Sequence, residues 1–420
     1  MNKLLTSLLT TTLILGTLAS CDQGESSITA ENLMNSVQKS DIHVEMPQEG
    51  ESQAKILEFY CDLLINIHEI ESEGKENIMI SPLSIATALS MTALGAQGET
   101  LTEMEEVFGL SKLEMASFLS VYNSELPSSD LAEFHLANSI WLKDDPSLTV
   151  HDSFLGDNKV YFDTDTFKAP FDSETLLEIN QWVEINTNGM IDKVLEEIPE
   201  DAMLYLINAL AFEGEWAEIY KESEVYQGTF TNLDGTKSEI EMMHSSETGY
   251  LEGDGFSGFS KSYKDDTYRF VGLLPEIGVS TEEIIAEINE NPQKFIELLE
   301  DSNDYVDVVG IPKFKQEFSA KLSEPLQKMG MNAPFQEVTA DFSRMATSEQ
   351  GNLFISDVIH KTFIEVDERG TKAGAVTAVE ISTESALMET KSVILDRPFV
   401  YFIVDTEQKL PLFMGIINQL

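Results

Sequence analysis

Few side chains in this 420-residue chain stand at spacings that do chemistry. The run GFSGFS at Gly255–Ser260 holds two serines but lacks the second glycine of a nucleophile elbow, so no strained turn would expose either one. His68-Glu69 is not followed by a histidine one helical turn on, which excludes the H-E-x-x-H zinc site. DSNDYVD at Asp301–Asp307 is a poor calcium loop, because Tyr305 stands where an oxygen ligand is needed and the glycine is missing. No glycine-rich phosphate loop follows a strand, and the six histidines have no ligand-like spacing. Cys61 shares a helical face with Leu57, Leu64 and His68, which reads as core filler rather than a nucleophile. No catalytic residue, metal or cofactor is expected.

One stretch has an unusual pattern: ERGTKAGAVTAVEISTES, from Glu368 to Ser385. Its residues are mostly small or β-branched, and they alternate. Thr371, Ala373, Ala375, Thr377, Val379 and Ile381 would share one face of a strand, while Lys372, Gly374, Val376, Ala378, Glu380 and Ser382 would share the other. The first face is small and uncharged, as a face packed on a core must be. Yet a polar run, STESALMETK, follows at once. The segment carries the composition of both a strand and a loop.

The elements around it read clearly. Residues from Glu51 to Ile70 have helical spacing, and NIMISPLSIATALSMTALGAQGET after them has no polar face, so its helix is buried on all sides. Thr100 and Glu103 have capping-box spacing at the start of the next helix. EFHLANSIWLK and MLYLINALAFEGEW read as buried strands, with a helix between them that closes near Gly189. YRFVGLLPE, YVDVVGIPKF, HKTFIEVDERG, FVYFIVD and PLFMGIINQL add further strands. No repeat and no Gly/Pro-rich linker divides the chain after residue 50. The expectation is one α+β domain with large sheets and helices concentrated toward its N-terminal half.

With 74 acidic against 26 basic residues, the net charge is −48. Such a surface repels nucleic acid and anionic polysaccharide, so neither is an expected partner and no heparin-like activator is expected. The 42% of hydrophobic residues supports a sizeable core. The start, MNKLLTSLLTTTLILGTLASC, is a secretory leader: one lysine, an apolar stretch, then small residues. Its ending, LASC, resembles the lipobox of bacterial lipoproteins, in which the cysteine becomes the lipidated N-terminus. Residues 1–20 are then the signal peptide, 21–50 the lipidated Cys21 with a flexible acidic tether, and 51–420 the folded domain. After processing, Cys61 is the sole unmodified thiol, so no intramolecular disulfide is expected. The expected location is extracytoplasmic, on the cell surface or in the periplasm.

NIMISPLSIATALSMTALGAQGET, LINALAFEGEWAEIY, IPKFKQEF, ISDVIHKTFIEVDERGTKAGAVTA, DRPFVYFIVD and PLFMGIINQL resemble serpin motifs, in serpin order, from about residue 51 to the C-terminus. The resemblance implies the serpin fold: three β-sheets, about nine helices and an exposed reactive-centre loop. It implies a monomeric suicide inhibitor of serine proteases, with cysteine proteases as a further target class, and not an enzyme. A target protease cuts the loop, and the cut strand inserts into the main sheet before the acyl-enzyme is hydrolysed. Serpin loop insertion is itself one of the standard worked cases of such switching. Glu368, Gly370, Thr371, Ala373, Ala375 and Thr377 match the loop hinge. Ser81, Ser84, Asn208 and His360 match the shutter beneath the sheet, and Trp216 matches the tryptophan of the breach where insertion begins. The sequence departs from the pattern at Lys372, where the family usually has an acid, and at Glu213, where it often has lysine.

The two ends of the loop give different scissile bonds. Counting from the hinge gives Glu384–Ser385; counting back from Pro398 gives Leu387–Met388. A glutamate implies a protease with a basic specificity pocket; leucine or methionine implies an apolar one. Two other functions stay open at this point. A non-inhibitory serpin would act as a protease substrate or binding module. A lipoprotein hydrolase on another fold lacks the motifs it would need.

Overall fold

Pro82–Ala93 forms a helix, α2, in which every residue is buried, as its unbroken apolar run requires. Ser81 caps it, accepting a hydrogen bond from the Ser84 N–H, and Pro82 takes the first helical position, where no N–H is needed. The rest of the molecule is assembled around this rod. The structure is a computed structural model that describes residues 28–39, 44–47, 51–72, 76–126, 132–302, 304–349, 351–371 and 391–420. Among them are nine α-helices. The other eight are α1 (Glu51–Ser72), α3 (Gly98–Phe108), α4 (Lys112–Glu125), α5 (Asp152–Tyr161), α6 (Ser173–Asn186), α7 (Thr281–Glu290), α8 (Pro292–Asp301) and α9 (Ser323–Lys328).

Three large sheets are present, as the serpin resemblance implies, and a two-stranded ribbon accompanies them. The main sheet runs in the order β1 (Glu31–Asn32), β5 (Asp165–Ala169), β3 (Ala132–Lys143), β6 (Leu204–Glu215), β16 (Gly370–Thr371), β15 (Asp357–Val366) and β13 (Phe314–Lys321). The second sheet holds β2 (Ile78–Ile80), β19 (Pro411–Ile417), β18 (Phe399–Asp405), β11 (Tyr268–Pro275), β10 (Phe256–Ser262) and β9 (Tyr250–Gly253). The third holds β17 (Ser392–Ile394), β12 (Tyr305–Pro312), β8 (Lys237–Thr248) and β7 (Val225–Thr231). The ribbon pairs β14 (Ala346–Ser348) with β4 (Leu148–Val150).

The main sheet is covered on both faces, so most positions of β6 and β15 are buried in an unbroken run rather than alternating with exposed ones. Behind it, α2 and the second sheet form the larger core, with Leu206, Leu210 and Phe212 of β6 facing inward. In front, α6 packs on β3 and β5, with Trp182 edge-on to Phe167, and its Ile179 and Val183 belong to a second core that reaches Ile207 and Ala209 of β6 and Ile359 and Phe363 of β15. Cys61 is fully buried, and burial pushes its thiol well above the usual range, as suits a packing residue.

Two sequence expectations need correction. The capping box at Thr100 and Glu103 does not form, because α3 begins earlier, at Gly98. Thr100 Oγ1 instead accepts the Asp341 N–H at 2.8 Å, and the Glu103 carboxylate accepts the Asn332 and Ala333 N–H groups. Both side chains tie α3 to a distant turn. The second correction concerns the segment 21–50, expected to be a free tether. Residues 28–36 within it are docked. Glu31 and Asn32 pair with Lys168 and Phe167 on the edge of the main sheet. Glu178 of α6 accepts from Thr29 N and Oγ1, both at 2.5 Å, and Asp165 accepts from Asn32 Nδ2 at 2.6 Å. Met34 is 4% exposed. A polar, aperiodic sequence looks free because its partners lie on other elements. Cys21 lies outside the described residues.

Candidate functional site

Among the described residues, the seam between β6 and β15 is the place in the main sheet where neighbouring parallel strands have a third strand wedged between them. From Tyr205 to Ala211, β6 pairs directly with Asp357–Phe363 of β15. Above that, β16 separates them: Thr371 lies opposite Gly214 on one side and Val366 on the other. The seam is thus zipped below and parted above.

The zipped part crosses a line of buried polar side chains. Asn138 of β3, Asn208 of β6 and His360 of β15 stand side by side in register. Asn208 Nδ2 donates to Ser84 Oγ and, at 2.5 Å, to Asn138 Oδ1. Ser84 Oγ donates to the same Asn138 oxygen at 3.0 Å. Asn208 Oδ1 accepts from His360 Nδ1, and His360 Nε2 accepts the Ser81 N–H at 3.1 Å. The network assigns the Nδ1–H tautomer of a neutral imidazole. Burial lowers the His360 pKa from 6.5 to about 3. All five side chains are buried, so each missing bond would leave a costly unpaired group. The structure therefore brings together Ser81, Ser84, Asn208 and His360, which lie far apart in sequence. It adds Asn138, which sequence reasoning missed. The available signal was a lone asparagine inside the apolar run of β3.

At the parted end, the residues expected to form the hinge are held from three directions. Thr371 is fully buried, and its hydroxyl meets the Tyr263 hydroxyl at 2.8 Å. Gly370 has φ +152°, and a Cβ there would stand 2.0 Å from the Gly214 carbonyl oxygen, so only glycine fits. Asp367 turns the chain by accepting the Arg369 and Gly370 N–H groups. Trp216, fully buried, donates Nε1–H to the Asp367 carbonyl and its backbone N–H to the Arg369 carbonyl, both at 2.9 Å. Its ring stacks on Tyr263 with centroids 4.4 Å apart. Glu368 pairs with Lys313 at 2.7 Å, and this contact holds its carboxyl below the usual range. Ala373, Ala375, Thr377, Glu384, Ser385, Leu387 and Met388 lie outside the described residues. The chain resumes at Lys391, whose ammonium pairs with Asp304 at 2.7 Å beside β12.

Where β16 stands, the two strands pair with it instead of with each other. Each side of the seam offers backbone groups that would pair with a third strand as well as with each other. The Asn208–His360 bond joins a side chain of β6 to one of β15 across the line of separation.

Comparison with known proteins gives the same frame. The family model Serpin (serine protease inhibitor) matches residues 55–420. A serpin-like protein of Thermococcus kodakarensis is 31% identical over 352 residues, covering 81% of this chain and 80% of that protein. Intracellular coagulation inhibitor 2 of Tachypleus tridentatus is 29% identical, covering 93% and 91%. The crystal structure of the thermophilic serpin Tengpin in its native state superposes with a TM-score of 0.87 at 39% identity, covering 93% of this chain and all of that one. Protease inhibitors rather than enzymes characterise the family. This chain belongs to the serpins.

Proposed function

We propose that this serpin is inhibitory: it traps a serine protease by letting its cut loop enter the seam between β6 and β15. One observation carries the reading. Gly370 and Thr371 already occupy the top of the seam, and their register with both flanking strands is set. If that register continues antiparallel, Thr377 would fall opposite Asn208 on one side and His360 on the other, six residues along each strand. Its hydroxyl could then accept from His360 Nδ1–H and donate to the Asn208 oxygen, replacing the bond that separation breaks. Thr371, Ala373, Ala375 and Thr377 would face the inner core, where charge would cost about several kcal/mol to bury.

The chemistry belongs to the protease. Its serine oxygen attacks the scissile carbonyl, the new amine end of the loop departs with a proton, and an ester joins the two proteins. Insertion then competes with hydrolysis of that ester. The favoured bond is Glu384–Ser385, with Leu387–Met388 as the alternative, and cysteine proteases form a secondary target class. Export and lipidation at Cys21, with a monomeric body, complete the reading.

The test is a protease panel on denaturing gels. An inhibitor gives a covalent band heavier than the serpin, and mass analysis of the released C-terminal peptide fixes the bond. Cleaved product alone, with every protease, would identify a substrate or binding module instead. Cys21→Ser should move the protein from the membrane fraction to the soluble one.

A further inference from the structure

An ion pair with one fully buried partner lies beside the hinge and takes no part in the contacts described so far. Lys261 of β10 is 3% exposed and pairs with the part-exposed Glu247 of β8 at 2.7 Å. An isolated buried charge is costly, and a pair is retained only where its surroundings satisfy it. Here they do. Glu247 also accepts the Ser245 hydroxyl at 2.6 Å, and Ser245 in turn meets the Tyr220 hydroxyl at 3.2 Å. The Lys261 ammonium stands 4.6 Å from the centre of the Tyr220 ring and 5.6 Å from that of Trp216. Those two residues bracket the turn that receives the hinge: Trp216 N–H bonds the Arg369 carbonyl, and Tyr220 N–H bonds the Glu368 carbonyl.

We propose that Lys261 and Glu247 are positioning residues for loop insertion. The pair joins the second and third sheets and fixes both rings at the top of the seam. Through Trp216, Tyr263 and Thr371 it holds the first inserted residues in register. A guide of this kind matters during insertion, when a strand entering one residue out of register would turn its charged face inward. The inference rests on the inhibitory reading, and its test separates the two.

The loop is nicked with a non-target protease, and the rate at which the nicked protein gains heat resistance is followed. This reads insertion without needing inhibition. Lys261→Met keeps the length and removes the charge; Glu247→Gln neutralises the other partner at nearly constant shape. Both are expected to slow insertion about tenfold, and to raise the number of serpins cut per complex formed. Lys261→Arg is expected to restore both. A purely structural pair would lower the melting temperature of each variant and leave its insertion rate at the wild-type value; that result overturns the inference. If Lys261→Met fails to fold, equal rates for Glu247→Gln and wild type overturn it as well. A wild-type protein that gains no heat resistance after nicking overturns the inhibitory reading, and this inference with it.

Discussion

His360 gives a prediction whose size follows from its surroundings. In the closed seam its Nε2 already accepts from Ser81, and burial refuses a second proton until the pH reaches about 3. Once the seam opens to water, or the chain unfolds, the ring accepts a proton near its ordinary 6.5. The opened form thus binds more protons than the closed form between these values. The stability that His360 contributes is complete above pH 6.5 and is lost as the pH falls toward 3. Each unit of separation is worth about 1.4 kcal/mol, so moving from pH 7 to pH 5 should cost about 2 kcal/mol. Where opening of the seam limits the rate of unfolding, this becomes about a thirtyfold faster loss of the closed form. The assay is the rate of unfolding at pH 7 and at pH 5, for the wild type and for His360→Gln. Glutamine has no titrating ring, and other groups, such as the buried Asp405 whose carboxyl is raised by burial, are common to both proteins. The wild-type rate should rise about thirtyfold more than the variant's between the two pH values. Equal pH responses would refute the claim that the neutral imidazole holds the seam.

Thr371→Arg should convert inhibitor to substrate, because a guanidinium in a fully buried position facing Tyr263 would stall insertion; an unchanged stoichiometry of inhibition would count against the mechanism. Gly370→Ala should drive Gly370 and Thr371 out of the seam, since its Cβ collides with the Gly214 carbonyl; faster hydrogen exchange at Trp216 N–H is the readout. Asn138→Ala takes the acceptor from Ser84 and one of two acceptors from Asn208, at a cost of about 1–3 kcal/mol. Because β3 and β6 stay paired in either form, the loss should be equal for intact and nicked protein in denaturant titrations. Glu282→Gln should flatten the acid profile: the His68 hydrogen bond holds the Glu282 carboxyl at about 2, so its contribution is present above pH 4.5 and fades as the pH falls toward 2.

Much of the fold was legible because burial writes itself into the chain. The run around α2 has no polar face, and the segments of β3 and β6 are short and largely apolar, so their burial could be read directly. The site was legible through the serpin resemblance, which marked Ser81, Ser84, Asn208 and His360 in separate segments. Periodicity alone would not have joined them, since their meeting depends on the strand order of the sheet. Asn138 escaped because one asparagine in a strand carries no sign of which neighbour it faces. Residues 28–36 escaped for a related reason: they are held by Glu178 and Asp165, more than a hundred residues away. The misread capping box shows the same limit. Thr100 and Glu103 have the right spacing, but a distant turn competes for both side chains.

The docked N-terminal strand changes the geometry of any lipid anchor at Cys21. Were the chain free from Asp22 to Gly50, its 29 residues would give a leash of up to about 100 Å. Docking at Ile28 leaves six, Asp22 to Ser27, or about 20 Å at full stretch. A bilayer-bound molecule would then be moored by the flank formed by β5 and α6, close to the headgroups, instead of riding on a long line from α1. The surface from which it could capture a passing protease would shrink to a narrow shell above the membrane.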